Sequence, residues 1–348
     1  MLKKIDWRIS FLTLGICWLA LEIALRLASP VIWDKLTHSE PLTAALLKDH
    51  LSALSPSRRQ DKRLCVVLGD SVFYGSALRE KSVPNWSQKT PPAYLRQSLG
   101  PEWLVLDLSA DGLNPLDMAA LLSATASLKP DALVIELNLR MLSVADGKAP
   151  GCMSRPWLAS WLPAELKAAS LGSGQANTEK KLFAKIEETL GGGSAIFRYA
   201  TLARAILFEP SMKALAAKKV KELMPGGEEV DASVLLDMKI RPYYSGPAAG
   251  TEHLGLQGLS LLAKEIPNLG SKSLVFITPQ NLNRVADFLD KRTWDANLRS
   301  LSAPFVKAKI PFKNFSLAMP EPRFLDHCHL DDQGNQELAS LILQELEP

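Results

Sequence analysis

The chain has 348 residues, 47% hydrophobic and 22% charged, the proportions of an ordinary globular protein with room for one large domain or two small ones. With 40 basic and 37 acidic residues the net charge is +3, too mild for a nucleic-acid binder, and no basic run with interleaved aromatics occurs. The four cysteines, Cys17, Cys65, Cys152 and Cys328, form no CxxC pair, which speaks against a zinc site or a disulfide-dense scaffold.

The amino terminus carries Lys3, Lys4 and Arg8 and then a nearly continuous apolar run from Ile9 to Leu21. Glu22 interrupts the run, and Ile23-Ala24-Leu25 resumes it before Arg26. A membrane span needs ~20 residues. Counted through to Val31 the segment is long enough, because Glu22 and Arg26 can pair at i, i+4 and Arg26 can snorkel. Trp7, Trp18 and Trp33 are available as interfacial anchors, and the basic flank favours a cytoplasmic amino end with the remainder outside the cytoplasm. Leu25 to Pro30 offers no small-x-small cleavage site. Residues 1–33 therefore read as an uncleaved single-pass anchor in the inner membrane rather than a signal peptide. Residues 34–62 read as a stalk, with a helical patch from Pro41 to Leu54 and then the polar stretch Ser55 to Lys62.

A main domain over 63–348 follows. Leu64 to Leu68 is an apolar strand that stops at Gly69-Asp70-Ser71. A proline-rich loop, a helical patch from Ala93 to Leu99 and a second strand, Trp103 to Leu108, come next. The loop Ser109 to Pro115 leads into a helix from Leu116 to Leu128, and Ala132 to Leu137 is a third strand ending at Asn138. Strand alternating with helix implies an α/β fold with a parallel sheet and helices on its faces. From about 150 to 267 that rhythm breaks; the segment is too long for one structureless loop and reads as a helical insertion over the site. Ser273 to Thr278 resumes the strands, Leu298 to Val306 looks helical, and Pro320 to Leu330 is a loop. The last helix runs from about Gln333 to Leu346, with Asp331 or Asp332 as its cap.

Two places carry chemistry. Ser71 stands at the carboxyl end of a buried strand, where open α/β sheets keep their sites, although Gly-Asp-Ser alone is equally an ordinary strand-ending turn. In Phe324-Leu325-Asp326-His327-Cys328-His329-Leu330, Asp326 and His329 are three apart, a spacing that lets one turn bring carboxylate and imidazole together. A carboxylate on one ring nitrogen fixes the tautomer and frees the other as a base. His327 is the alternative base, but it adjoins Asp326, and successive side chains diverge. Cys328 reads as a bystander that could pair with Cys152 outside the cytoplasm.

These blocks resemble the SGNH (GDSL-type) serine hydrolases. Gly69-Asp70-Ser71 matches the nucleophile block, Gly112 the glycine after the second strand, and Asp326 with His329 the closing Asp-x-x-His. The third block departs from the pattern. This chain has Glu136-Leu137-Asn138-Leu139, which keeps the asparagine and lacks the family's glycine and aspartate. Glu136 either pairs with Arg140 or narrows the pocket. The resemblance covers roughly 62–140 and 270–346. It implies a flavodoxin-like three-layer α/β/α fold with Ser71 as nucleophile, His329 as base and Asp326 as orienter. The oxyanion donors would be the Ser71 and Gly112 N–H groups and the Asn138 amide, with no metal or cofactor.

An anchor before such a domain is also similar in architecture to envelope proteins that add or remove acyl groups. The implied function is an extracytoplasmic, periplasmic esterase or acyltransferase. It would act on O-acetyl or other acyl esters of a cell-envelope or secreted polysaccharide, with an integral-membrane acyl-donor partner as a possible associate and no nucleic acid. The rivals are a lipid esterase or thioesterase, and a non-catalytic assembly protein that keeps the SGNH core as a scaffold.

Overall fold

The computed structural model describes residues 13–24, 44–59, 61–142, 155–171, 240–245 and 253–346. Its frame is a five-stranded sheet of order β2-β1-β3-β4-β5, every pairing parallel. The strands are β1 (Arg63–Leu68), β2 (Trp103–Asp107), β3 (Ala132–Leu137), β4 (Lys272–Ile277) and β5 (Phe312–Asn314). The chain moves outward from β1 to β2, then crosses back to lay β3 on the other side of β1. The carboxyl ends of β1 and β3 thus flank the point where the winding reverses, the place at which doubly wound sheets leave a crevice.

The strands are apolar on both sides because both faces are covered. On one face Leu64, Val66, Leu68, Leu133, Ile135, Leu137, Val275 and Ile277 join the larger core. There they meet α4 (Pro115–Thr125), α5 (Leu254–Leu269) and α6 (Lys291–Lys307). The alternate residues Cys65, Val67, Val134, Leu274 and Phe276 face the other way. They pack with Leu95 of α3 (Pro91–Leu99) and with Leu338, Ala339 and Ile342 of α7 (Asp332–Leu346). Period-two alternation along each strand therefore sorts one sequence into two cores.

Local signals set the helix starts. Asn114 caps α4 through its side chain, and Asp117 returns a bond to the Asn114 N–H. Asp331, not Asp332, closes the start of α7, its Oδ1 accepting the Gly334 N–H at 2.6 Å. Helices α4 and α5 approach so closely that a Cβ at Gly258 would lie 2.7 Å from backbone atoms of Pro115 and Leu116. Neither atom is the end of a flexible side chain, so the helices must part to admit a methyl group. Gly258→Ala is expected to cost about 1–3 kcal/mol and lower the midpoint of a urea melt accordingly.

Several elements differ from the sequence reading. The helical patch expected over Pro41 to Leu54 within the stalk is present as α1 (Ala44–Ala53), but Leu47 on it is fully buried in the larger core. It docks on the domain because its apolar residues have a core to enter. The insertion read over about 150–267 overlaps α5, whose Leu259, Leu262 and Ile266 belong to the main core. Pro267 misleads there: it sits inside the last turn of α5 instead of marking a boundary. Leu158, Leu162, Ile240 and Tyr244, also from the insertion, are buried in the same core, while most of the insertion lies outside the described residues. Strand β5 is three residues long and was not legible as a strand.

Of the anchor read over 1–33, residues 13–24 are described. They are helical, with Leu14, Ile16, Trp18, Leu19, Leu21 and Ile23 all exposed. Among the described residues no helix is long and apolar enough to cross a membrane.

Candidate active site

The turn after β1 presents Ser71 at the head of a one-turn helix, α2 (Ser71–Tyr74). Asp70 caps it, its Oδ1 accepting the Val72 N–H at 3.1 Å. Gly69 is required by close approach, since a Cβ there would fall 2.6 Å from the Phe73 Cβ. Phe73 in turn is fully buried and fixes the floor of the turn.

The loop after β5 brings His329 to this turn. Its Nε2 lies 3.0 Å from Ser71 Oγ, and its Nδ1 lies 2.7 Å from Asp326 Oδ2. A carboxylate only accepts, so Nδ1 carries the hydrogen and Nε2 is left to accept from the serine hydroxyl. Asp326 is held from behind, its Oδ1 accepting the backbone N–H groups of Cys328 at 2.9 Å and His329 at 2.8 Å. Burial would raise the Asp326 carboxyl, but the hydrogen bond and charge of His329 outweigh it and hold it below the usual carboxylate range. The Asn281 N–H donates to the His327 carbonyl at 2.8 Å, tying the end of β4 to the same loop.

His327, the alternative base, makes no hydrogen bond to Ser71 among the described residues. Its Nε2 lies 3.4 Å from Cys328 Sγ, and its ring meets Tyr244 edge to face. Tyr244 comes from the described part of the insertion, stacks on Trp294 and bonds Gln280 Oε1 at 2.5 Å. It is a wall behind the histidine loop that nothing in the local sequence pointed to.

Among the three expected oxyanion donors, Gly112 sits in the loop after β2 with φ +76°, a conformation that suits glycine. The Asn138 amide nitrogen lies 3.7 Å from Cys328 Sγ, and its Oδ1 accepts the Arg140 N–H at 3.1 Å. Ser71, Gly112 and Asn138 end on three neighbouring strands, β1, β2 and β3, at one rim of the sheet.

Glu136 does not pair with Arg140. It is fully buried, its Oε2 accepts the Asp70 N–H at 2.7 Å, and its Oε1 has no hydrogen-bond partner among the described residues. Burial and the neighbouring Asp70 charge both push its carboxyl well above the usual range. Arg140 instead reaches Asp70 Oδ2 at 3.0 Å.

Cys328 is more than a bystander. Its sulfur lies 3.7 Å from His329 Nδ1 as well as near His327 and Asn138. It is a free thiol, and Cys152 lies outside the described residues. Burial raises the thiol, but the two histidines outweigh it and bring it down to about 7. Burial likewise opposes the His329 imidazolium, yet the Cys328 sulfur and Asp326 hold it well above 6.5. A base must be neutral, so activity would rise with pH through that elevated value, falling about tenfold per unit below it. Cys328→Ser removes the sulfur that helps to hold His329 high and is expected to move the acid limb of kcat/KM to lower pH, measured on an uncharged ester.

Donor atoms of Asp326, Cys328 and His329 lie within 4.8 Å of one another, close enough to suggest a metal centre. The carboxylate and Nδ1, however, are at hydrogen-bond separation, 2.7 Å. A tetrahedral ion with bonds of ~2.0–2.1 Å would hold such ligands ~3.3 Å apart. The arrangement is that of a hydrogen-bonded relay.

No protein-family model matches the chain, and no curated protein matches its sequence. Among solved structures it is similar to TesA at 14% identity, with 82% of this chain and 99% of that chain covered and a TM-score of 0.39. It is similar to an alpha/beta hydrolase enzyme from the metagenome of Lake Arreo at 12% identity, covering 82% and 94%, with a TM-score of 0.41. Est24, a carbohydrate acetylesterase from Sinorhizobium meliloti, is similar at 14% identity, covering 82% and 98%, with a TM-score of 0.37.

Proposed function

We propose that this chain is a serine esterase or acyltransferase of the SGNH type. The observation that carries the reading is the unbroken chain of hydrogen bonds from Asp326 through His329 to Ser71. In it the serine oxygen attacks the acyl carbon of an ester while His329 Nε2 takes the hydroxyl proton. The former carbonyl oxygen becomes an oxyanion, received by the N–H groups of Ser71 and Gly112 and the Asn138 amide. Collapse expels the alcohol, which takes the proton from His329, and leaves an acyl-serine. Water or a sugar hydroxyl, deprotonated by the same imidazole, then releases the acyl group.

The substrate we propose is an O-acetylated polysaccharide of the cell envelope, reached by a domain tethered outside the cytoplasm. The exposed apolar side chains of residues 13–24 support the tether, because so many large apolar side chains on one short helix favour a non-aqueous environment. Transfer to a glycan instead of water would require a supply of acyl groups, hence an acyl-donor partner in the membrane. A phospholipid or thioester substrate is the competing reading, since the same tether brings the serine near the bilayer.

The test is covalent labelling with a fluorophosphonate of the full-length chain in detergent, followed by release assays. Labelling of the parent, absent from Ser71→Ala, is the expected result. A folded parent that takes no label at any pH up to 9 would overturn the enzymatic reading. Acetate released from acetylated glycan, against fatty acid released from vesicles, separates the two substrate classes.

A further inference from the structure

The altered third block leaves Arg140 in a position that neither the triad nor the oxyanion donors account for. Its Nη2 donates to Asp70 Oδ2 at 3.0 Å and to the Leu113 carbonyl at 3.1 Å. Its own backbone N–H donates to Asn138 Oδ1 at 3.1 Å. Three loops meet at this residue: its side chain holds the nucleophile turn through Asp70 and the glycine loop through the neighbour of Gly112, while its backbone N–H, which any residue but proline would keep, holds the Asn138 side chain. Those loops carry the three expected oxyanion donors.

The charge has a second consequence. Asp70 is fully buried, and its Oδ1 lies 3.5 Å from Ser71 Oγ. An unneutralised carboxylate there would oppose any negative charge forming beside the Ser71 N–H. Glu136 accepts the Asp70 N–H at 2.7 Å, and burial beside Asp70 raises its carboxyl, which disfavours a second negative charge there. Arg140 is the cation seated on the Asp70 carboxylate.

We propose that Arg140 is a positioning residue of the oxyanion hole, whose side chain cancels the Asp70 charge and sets the nucleophile turn against the glycine loop. The inference rests on the esterase reading of the same site. It makes the Arg140 side chain act on the transition state through Asp70 and Leu113, without touching substrate. Losing it should therefore lower kcat and leave KM nearly unchanged.

The experiment compares hydrolysis of p-nitrophenyl acetate by the full-length parent, Arg140→Met, Asp70→Asn and the double variant Asp70→Asn/Arg140→Met. Asparagine keeps the helix cap and removes the charge. Arg140→Met is expected to lose about 10²-fold or more in kcat, the scale of a lost oxyanion donor, with KM within about twofold. The double variant is expected to recover at least about tenfold over Arg140→Met, because the uncompensated carboxylate is gone. A purely structural role predicts no such recovery. An active parent with Arg140→Met at parental kcat, or with a double variant no faster than Arg140→Met, overturns this inference alone. A parent that neither hydrolyses the ester nor takes a fluorophosphonate overturns the esterase reading and this inference with it. Where Arg140→Met does not fold, Arg140→Gln, which keeps a donor and removes the charge, takes its place in the same comparison with the same limits.

Discussion

Ser71→Ala is expected to lower kcat/KM toward a simple ester by ~10⁴-fold or more while leaving the melting temperature within a few degrees of the parent. The size of the loss follows from what remains. Without Oγ no acyl-enzyme can form, and only binding and the oxyanion donors are left to assist water. The small effect on stability follows from the surroundings. Helix α2 is capped by the Asp70 carboxylate and anchored by buried Phe73, and neither depends on the serine hydroxyl. The hydroxyl's own partners are His329 Nε2 and, at 3.5 Å, Asp70 Oδ1. Circular dichroism melts and steady-state rates on the same preparations check both halves. A variant that keeps a tenth of parental activity would remove Ser71 from the nucleophile's role.

The elements that the sequence announced are those with a period or a cap. Strands β1, β3 and β4 are short apolar runs bounded by turn residues, and each starts or stops within a residue of its expected place. Helix α6 begins earlier than its apolar stripe, at Lys291, because Asp290 caps it through the Arg292 N–H at 2.9 Å. Strand β5 has three residues and no alternation to read; its place at the sheet edge is set by pairing with β4. The close approach of Ser71, His329 and Asp326 was legible because two short motifs carry it. The companions Arg140, Glu136 and Tyr244 were not, because each acts across the fold. Arg140 meets Asp70 from 70 residues away, and Glu136 meets the Asp70 N–H from 66. Side-chain pairings over such separations leave no local signature; only the register of β1 beside β3 brings them into range.

Asp326→Asn is expected to reduce kcat by ~10⁴-fold at neutral pH, close to the effect of removing a triad aspartate elsewhere, although the side chain keeps its shape. The reason lies in how the carboxylate is used. Oδ1 accepts two backbone N–H groups, from Cys328 and His329, and an amide oxygen can take over that position. The amide NH₂ would then occupy the place of Oδ2, 2.7 Å from His329 Nδ1. A donor facing Nδ1 selects the tautomer with hydrogen on Nε2, which points a hydrogen at Ser71 Oγ where a lone pair is needed. The loop should therefore stay folded while the base is turned off. Fluorophosphonate labelling should slow in step with kcat, since both require the same proton transfer. The Cys328 contribution makes a second readout available. With the Asp326 charge gone, His329 loses one of the two influences that hold it high, so whatever activity remains should show its acid limb at lower pH than the parent. Parental rates in Asp326→Asn, or an acid limb that stays in place, would assign the orienting role to a different group.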